Sequence, residues 1–271
     1  MGIILKPNKH MNINIPDVTI CMHIRIDSAI RLNNTLSILN YLTKTTNAKI
    51  IVLEADSIQQ GKVLSDFKNI SYIYIQDDEK VFHLTKYRNK LIRISSTPIV
   101  ALWDVDAIAP LTQILEAINE IRIHEYVLAW PYDGIYHYVP IEIANLFGDT
   151  GDMTVLTSRK NDFSPMFNAL SAGGIFLANK KKYMEIGMDN ENLRGWGPED
   201  TERLKRATIL ELPVYRVRGD LYHLWHPRGY NSGYSDPQRE MESIKEFLKI
   251  CQYSREELLS YINSWKWVKT Q

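Results

Sequence analysis

A chain of 271 residues is long enough to bury a sizeable core, in one large domain or two small ones. Its 32 basic and 32 acidic residues cancel, so bulk charge gives no reason to bind nucleic acid or an anionic membrane surface. Near-average apolar (45%) and charged (24%) fractions exclude a disordered chain, and two distant cysteines, Cys21 and Cys251, exclude a disulfide framework.

The first ~110 residues alternate β-rich runs with helical patterns. ValThrIleCysMetHisIle (18–24) reads as a strand and is followed by a helix over 28–44. Strands are expected at 48–54, 70–75 and 97–103, the last preceded by a helix over 82–94. Apolar strands spaced by helices predict an α/β fold with a mostly parallel sheet, whose ligands bind outside the carboxyl ends of the strands. Residues 124–172 are less regular, and PheGlyAspThrGlyAspMet (147–153) reads as a turn. The stretch 147–166 is expected to be a loop that orders over bound substrate. A strand is expected over 171–178 and an amphipathic helical segment over 237–263. No apolar run reaches membrane-spanning length and no leader pattern appears, so the expectation is a cytoplasmic protein with at most peripheral membrane contact.

Several clusters have the composition of a site. AlaLeuTrpAspValAsp (101–106) ends an apolar run in two acids, and extended chain would send Asp104 and Asp106 to one side. Two such oxygen donors suit Mg²⁺ or Mn²⁺, although an Asx turn uses the same residues. His223 and His226, three apart, could share a transition metal or serve structure alone. Gly173-Gly174 allows a ligand or a second backbone to come close. Arg25, Arg31 and Arg88 occupy positions from which arginine grips diphosphate, or is simply solvated. ArgGlyTrpGlyProGluAspThrGlu (194–202) holds an aromatic face beside two acids. That suits a sugar ring and one of its hydroxyls, and equally a core tryptophan before an acid-started helix.

The order AspValAsp, then GlyGlyIlePhe, TyrMetGluIleGly and ArgGlyTrpGlyProGluAsp, then HisLeuTrpHis, resembles nucleotide-diphospho-sugar glycosyltransferases of the GT-A fold. The nearest resemblance is to the galactosyltransferase-type family, which includes the vertebrate β-1,4-galactosyltransferases and bacterial chondroitin-polymerase-like enzymes. It spans roughly residues 18–230 and is most specific over 173–202. It implies a Rossmann-like single domain over 1–235, with a nucleotide-binding half (18–110), an acceptor-binding half (111–235) and a C-terminal helical extension (236–271). It further implies inverting, metal-dependent transfer of galactose or N-acetylgalactosamine from a UDP-sugar to a glycan, as in polysaccharide biosynthesis. Asp106, His226 and His223 match the Mn²⁺ ligands, with Mg²⁺ as the alternative ion. His223 stands where the vertebrate enzymes carry methionine, which leaves the metal preference open. Asp104 matches the first acid of the DxD motif, near the ribose or behind the metal. Arg25, Arg31, Arg88, Gly173 and Gly174 fall on the donor side, while Trp196 and Glu199 match acceptor contacts. Asp200 matches the general base. Pro198 replaces a glycine of the vertebrate pattern and would reshape the acceptor pocket.

Three rival readings are weaker. A HAD-like phosphohydrolase also places Asp-x-Asp after a strand, but Ile108 stands where it needs Thr or Val and no suitable lysine motif precedes GlyAspThrGlyAsp (148–152). A nucleotidyltransferase would want a glycine-rich loop, and residues 18–31 contain no glycine. A non-catalytic glycan-binding protein would have no need of Asp106, Asp200 and His226 together.

Overall fold

The computed structural model describes residues 12–167, 169–234 and 236–269; residues 1–11 of the expected domain and 270–271 of the extension lie outside them. The N-terminal third follows the predicted order within a residue or two: β1 (Val18–Ile24), α1 (Ala29–Thr45), β2 (Lys49–Asp56), β3 (Ile70–Gln76), α2 (Leu84–Ile94) and β4 (Ile99–Trp103). Every residue of β1 and β4 is buried, as strands covered on both faces must be. The chain continues through β5 (Ala107–Ile108), α3 (Leu111–His124), β6 (Leu128–Trp130), β7 (Tyr136–Val139), α4 (Ile141–Thr150) and α5 (Thr154–Thr157). It ends with β8 (Ile175–Asn179), α6 (Lys180–Glu185), α7 (Glu199–Ile209), β9 (Val214–Arg216), β10 (Leu221–Leu224), α8 (Pro237–Gln252), α9 (Arg255–Ser264) and α10 (Lys266–Lys269).

Seven strands form the main sheet in the order β3-β2-β1-β4-β8-β6-β9, parallel except where β8 runs antiparallel to β4 and β6. It is the single α/β domain that was expected, a mostly parallel sheet flanked by helices. The reversal at β8 matters for the site. Pairing Trp103 with Ile175 brings the residues just before β8 beside those just after β4, and Asp104 N donates to Gly174 O at 2.8 Å. A second sheet, β5-β10-β7, pairs Ala107 with His223 and thereby sets β10 against the AspValAsp turn.

Three expectations need correction. The stretch 147–166 is not an irregular loop: α4 runs to Thr150, α5 follows, and a short 3₁₀ turn covers Lys160–Asp162. Gly148 sits inside α4 because a Cβ there would come within 2.5 Å of Ser37 Oγ on α1, so the glycine marks a close helix contact. The strand expected over 171–178 begins only at Ile175, since Gly174 has φ +79 and turns the chain first. The segment 237–263 is helical as expected, in two helices. α8 stops before Tyr253, and Ser254 and Glu257 form a capping box that starts α9. The third correction concerns Asp104 and Asp106 and belongs to the site.

The last helices pack onto the chain between α6 and α7. Trp267 Nε1 donates to Gly187 O at 3.0 Å, and a Cβ at Gly187 would meet Trp265 and Ile262 at 2.8 Å. Arg206 of α7 is fully buried over the Trp265 ring and donates to Ile186 O and Met188 O. No helix among the described residues is long and apolar enough to cross a membrane.

Candidate active site

A cleft of about 200 Å³ opens over the carboxyl ends of β1 and β4, and all the candidate residues named above line it. β4 ends at Trp103. Ala107 N bonds back to Asp104 O at 3.1 Å, closing a turn over residues 104–107. Asp104 and Asp106 therefore meet different neighbours. Asp104 accepts from Arg88 at 3.0 Å and lies 3.7 Å from His23 Nε2, whereas Asp106 meets Arg31, His226 and His223. The turn is closed main chain to main chain and not by an Asx side chain, and only the second acid joins the histidines.

Asp106, His223 and His226 are all buried, and their donor atoms lie within 4.8 Å of one another. The β5–β10 ladder places His223, and Leu224 N bonds to Asp106 O at 2.8 Å. Asn34 of α1 donates to Leu224 O and Trp225 O, which fixes the stretch between the two histidines. One carboxylate and two imidazoles form a donor set that fits a divalent transition ion. Burial pushes the Asp106 carboxyl up, but His223, His226 and Arg31 outweigh it and hold it well below the usual range. Burial lowers His223 to about 4, so it stays neutral and available as a ligand.

Arg31 reaches this cluster from the first turn of α1, whose N-cap Ser28 accepts from Arg31 N. Its Nη1 donates to Asp106 Oδ2 at 3.0 Å, and its Nη2 lies 3.1 Å from His226 Nδ1. The same Nδ1 lies 2.9 Å from Pro227 O. In neutral imidazole these two contacts exclude each other. A proton on Nδ1 serves Pro227 O and leaves Nε2 free for a metal; without it, Nδ1 accepts from Arg31 and Nε2 donates to Asp106.

α2 supplies Arg88, 3% exposed, which donates to Asp104 at 3.0 Å and to Asp200 at 3.2 Å. Its Nε has no hydrogen-bond partner among the described residues. Burial raises the Asp104 carboxyl to about 6, only partly offset by Arg88 and reinforced by the charges of Asp106 and Asp200. Arg25 lines the cleft too, yet its guanidinium is held by Ala55 O, Glu79 O and Asp77, and it stacks on Phe82.

The run 194–202 starts a helix as its acids allowed, but its tryptophan is not a core residue. α7 starts at Glu199 with acids in its first turn, favoured by the helix dipole, and Trp196 stays 39% exposed against Tyr234 in a T-shaped pair. Asp200 Oδ1 accepts from Arg88 and from Arg203, while Oδ2 accepts from nothing among the described residues. Oδ2 lies against Gly173, where a Cβ would come within 2.5 Å of it. Residues 171–174 are pinned for this approach. Their carbonyls receive, in turn, Arg216, Trp130, Tyr132 and the Asp104 amide. Glu199 is buried with Oε2 unpartnered among the described residues, and burial, with the neighbouring Asp200, raises its carboxyl well above the usual range.

Sequence reasoning missed His23 and Arg203. His23 gave no signal beyond its place in a strand, because a lone buried histidine is common. Arg203 was legible: an arginine three residues after an acid on a helix lies on the same face.

The sequence profile of the family described as "Glycosyltransferase like family 2" matches residues 18–265. The chain belongs to this family. Its fold is shared with solved structures of glucosyl-3-phosphoglycerate synthase from Mycobacterium tuberculosis. One in complex with Mn²⁺, UDP and phosphoglyceric acid has a TM-score of 0.55 at 12% identity, covering 88% of this chain and 79% of that one. One with Mn²⁺, UDP-glucose and phosphoglyceric acid has 0.53 at 14%, covering 87% and 80%. One with Mg²⁺ and UDP has 0.52 at 11%, covering 87% and 79%. At these identities the likeness is one of fold.

Proposed function

We propose that this family-2 protein is a metal-dependent inverting glycosyltransferase that moves a sugar from a UDP-sugar to an acceptor hydroxyl, with Asp200 as general base. The observation that carries the reading is the open Oδ2 of Asp200 in the same cleft as the Asp106–His223–His226 cluster. The acceptor hydroxyl gives its proton to Oδ2 while its oxygen attacks the anomeric carbon, and the bond to UDP breaks on the opposite face. Arg88 and Arg203 hold Oδ1 and so aim Oδ2, while Gly173 leaves room for it. Glu199 and Trp196 hold the acceptor, the first through its unpartnered Oε2 and the second by its exposed ring. Asp106, His223 and His226 would hold the ion, Mn²⁺ rather than Mg²⁺ because two of the three donors are imidazoles. When bound, the ion supplies positive charge against that of the departing diphosphate. On the donor side, Arg31 is the cation nearest the cluster, Asp104 with Arg88 lies behind it, and Arg25 braces the 77–80 segment.

The fold-sharing structures that bind UDP and Mn²⁺ support the donor and the ion. For the donor sugar we favour galactose or N-acetylgalactosamine, from the resemblance of residues 173–202 to the galactosyltransferase type, with glucose as the competing choice. A glycan acceptor, as in assembly of a polysaccharide, follows from the same resemblance. The test is Mn²⁺-dependent UDP release over a panel of UDP-galactose, UDP-N-acetylgalactosamine and UDP-glucose. Asp106→Asn should abolish it. Asp200→Asn should bind UDP and Mn²⁺ normally yet lose transfer by about 10²–10⁴-fold. Wild-type-like transfer by Asp200→Asn would refute the base assignment.

A further inference from the structure

Beside the main cleft lies a small recess that shares Trp196 and Asn231 with it and is lined also by Arg194, Tyr230, Tyr234 and Arg239. Arg194 and Arg239 line the recess, and the Lys80 ammonium stands 4.2 Å over the ring of Tyr230. None of the three forms an ion pair among the described residues. Arg239 Nη1 is enclosed with no hydrogen-bond partner among the described residues. Among the described residues the one carboxylate lining the recess is Asp236, the N-cap of α8, whose Oδ1 accepts from Gln238 N at 2.9 Å.

An enclosed guanidinium nitrogen without an acceptor is costly unless something fills the place. Two guanidiniums beside an exposed tryptophan are matched by an anionic group on a molecule whose ring lies on that tryptophan. The recess is too small for a second sugar, and the donor's diphosphate belongs with the Asp106 cluster. We propose that the acceptor carries an anionic substituent, a phosphate or a carboxylate, seated by Arg239 and Arg194 while its sugar ring rests on Trp196. The acceptor is then an acidic or phosphorylated sugar rather than a neutral one. This rests on the acceptor reading of Trp196 and Glu199, and it names the substrate class that reading leaves open.

The full chain, saturated with UDP and Mn²⁺ so that the donor site is filled, is titrated calorimetrically with inorganic phosphate, glucose 6-phosphate, glucuronate and glucose. Phosphate should bind, and at least one of the two anionic sugars should bind about tenfold or more tightly than glucose. The tighter of the two identifies the group. Arg239→Gln and Arg194→Gln should each weaken that binding about fivefold or more, with UDP affinity within about twofold of wild type as the check on folding. Equal affinity for glucose and both anionic sugars, no binding of phosphate, or a preference that survives in the double variant overturns the proposal and leaves the transferase reading standing. Failure of the wild type to bind UDP and Mn²⁺ removes both.

Discussion

Arg203 donates to Asp200 Oδ1 at 2.8 Å from a guanidinium that also holds Asp189 at 2.6 Å, and its side chain is wholly buried. The residue proposed as the base is thus tied to the core of α7 through a charged pair. Burial pushes the Asp189 carboxyl up, but Arg203 and Arg88 outweigh it, so it remains ionised inside the protein. Arg203→Met should strand that charge and destabilise the fold by about 3–5 kcal/mol in denaturant unfolding. Arg203→Lys should lose less. A methionine variant within about 1 kcal/mol of wild type would show that the pair does not hold α7.

Gly173→Ala tests the approach of Asp200. Its φ lies outside the left-handed region, so alanine strains nothing in the backbone, and the clash is with Asp200 Oδ2 alone. The expected result is a transfer rate lower by about 10²-fold, the cost of a misplaced reacting group, with UDP affinity and melting temperature nearly unchanged. Unaltered transfer would mean that Oδ2 does not work from where it sits.

Arg31 and a bound ion compete for Asp106 and His226. Arg31→Gln should release His226 Nδ1 to Pro227 O, free Nε2 and remove one repelling charge. Calorimetry without donor should then give Mn²⁺ binding about threefold to tenfold tighter than wild type. The same variant should bind UDP more weakly in the presence of Mn²⁺, because the displaced guanidinium is the nearest cation for the diphosphate. Weaker donor-free Mn²⁺ binding in Arg31→Gln would contradict the competition.

Glu199 makes stability depend on pH. Its folded value is raised by burial and by Asp200, so the folded protein holds this proton more tightly than the unfolded chain. The contribution is complete below the unfolded value near 4.5 and is lost as pH rises through the folded one. Glu199→Gln keeps the shape without the titration. Its stability relative to wild type should therefore rise between pH 5 and pH 8, by about 1–3 kcal/mol, in unfolding curves taken at both values. A difference that stays flat with pH would place the titration elsewhere.

The legible parts of the chain were those where one rule decides. β1 and β4 are apolar runs buried along their whole length and β2 is mostly buried, the pattern of strands covered on both faces. The region after residue 124 was harder because its signals conflict. Gly148 and Gly151 read as turn residues, yet one allows α4 to approach α1 and the other ends α4 at φ +64. A glycine chosen for a tertiary contact looks the same in sequence as one chosen for a turn. Asp104 and Asp106 were correctly placed at a strand end, but alternation failed there because β4 had already stopped. His223 and His226 came together with Asp106 through the β5–β10 pairing, a contact across more than a hundred residues that spacing cannot encode.

The packing of Trp265 and Trp267 on Gly187 bears on how this protein can be re-engineered. Arg206 connects that tryptophan pair to the helix that carries Glu199 and Asp200. A swap of the final two helices between relatives would thus act as a distant edit of the active site, one that transplants cleanly only if position 187 and the incoming ring are exchanged as a set.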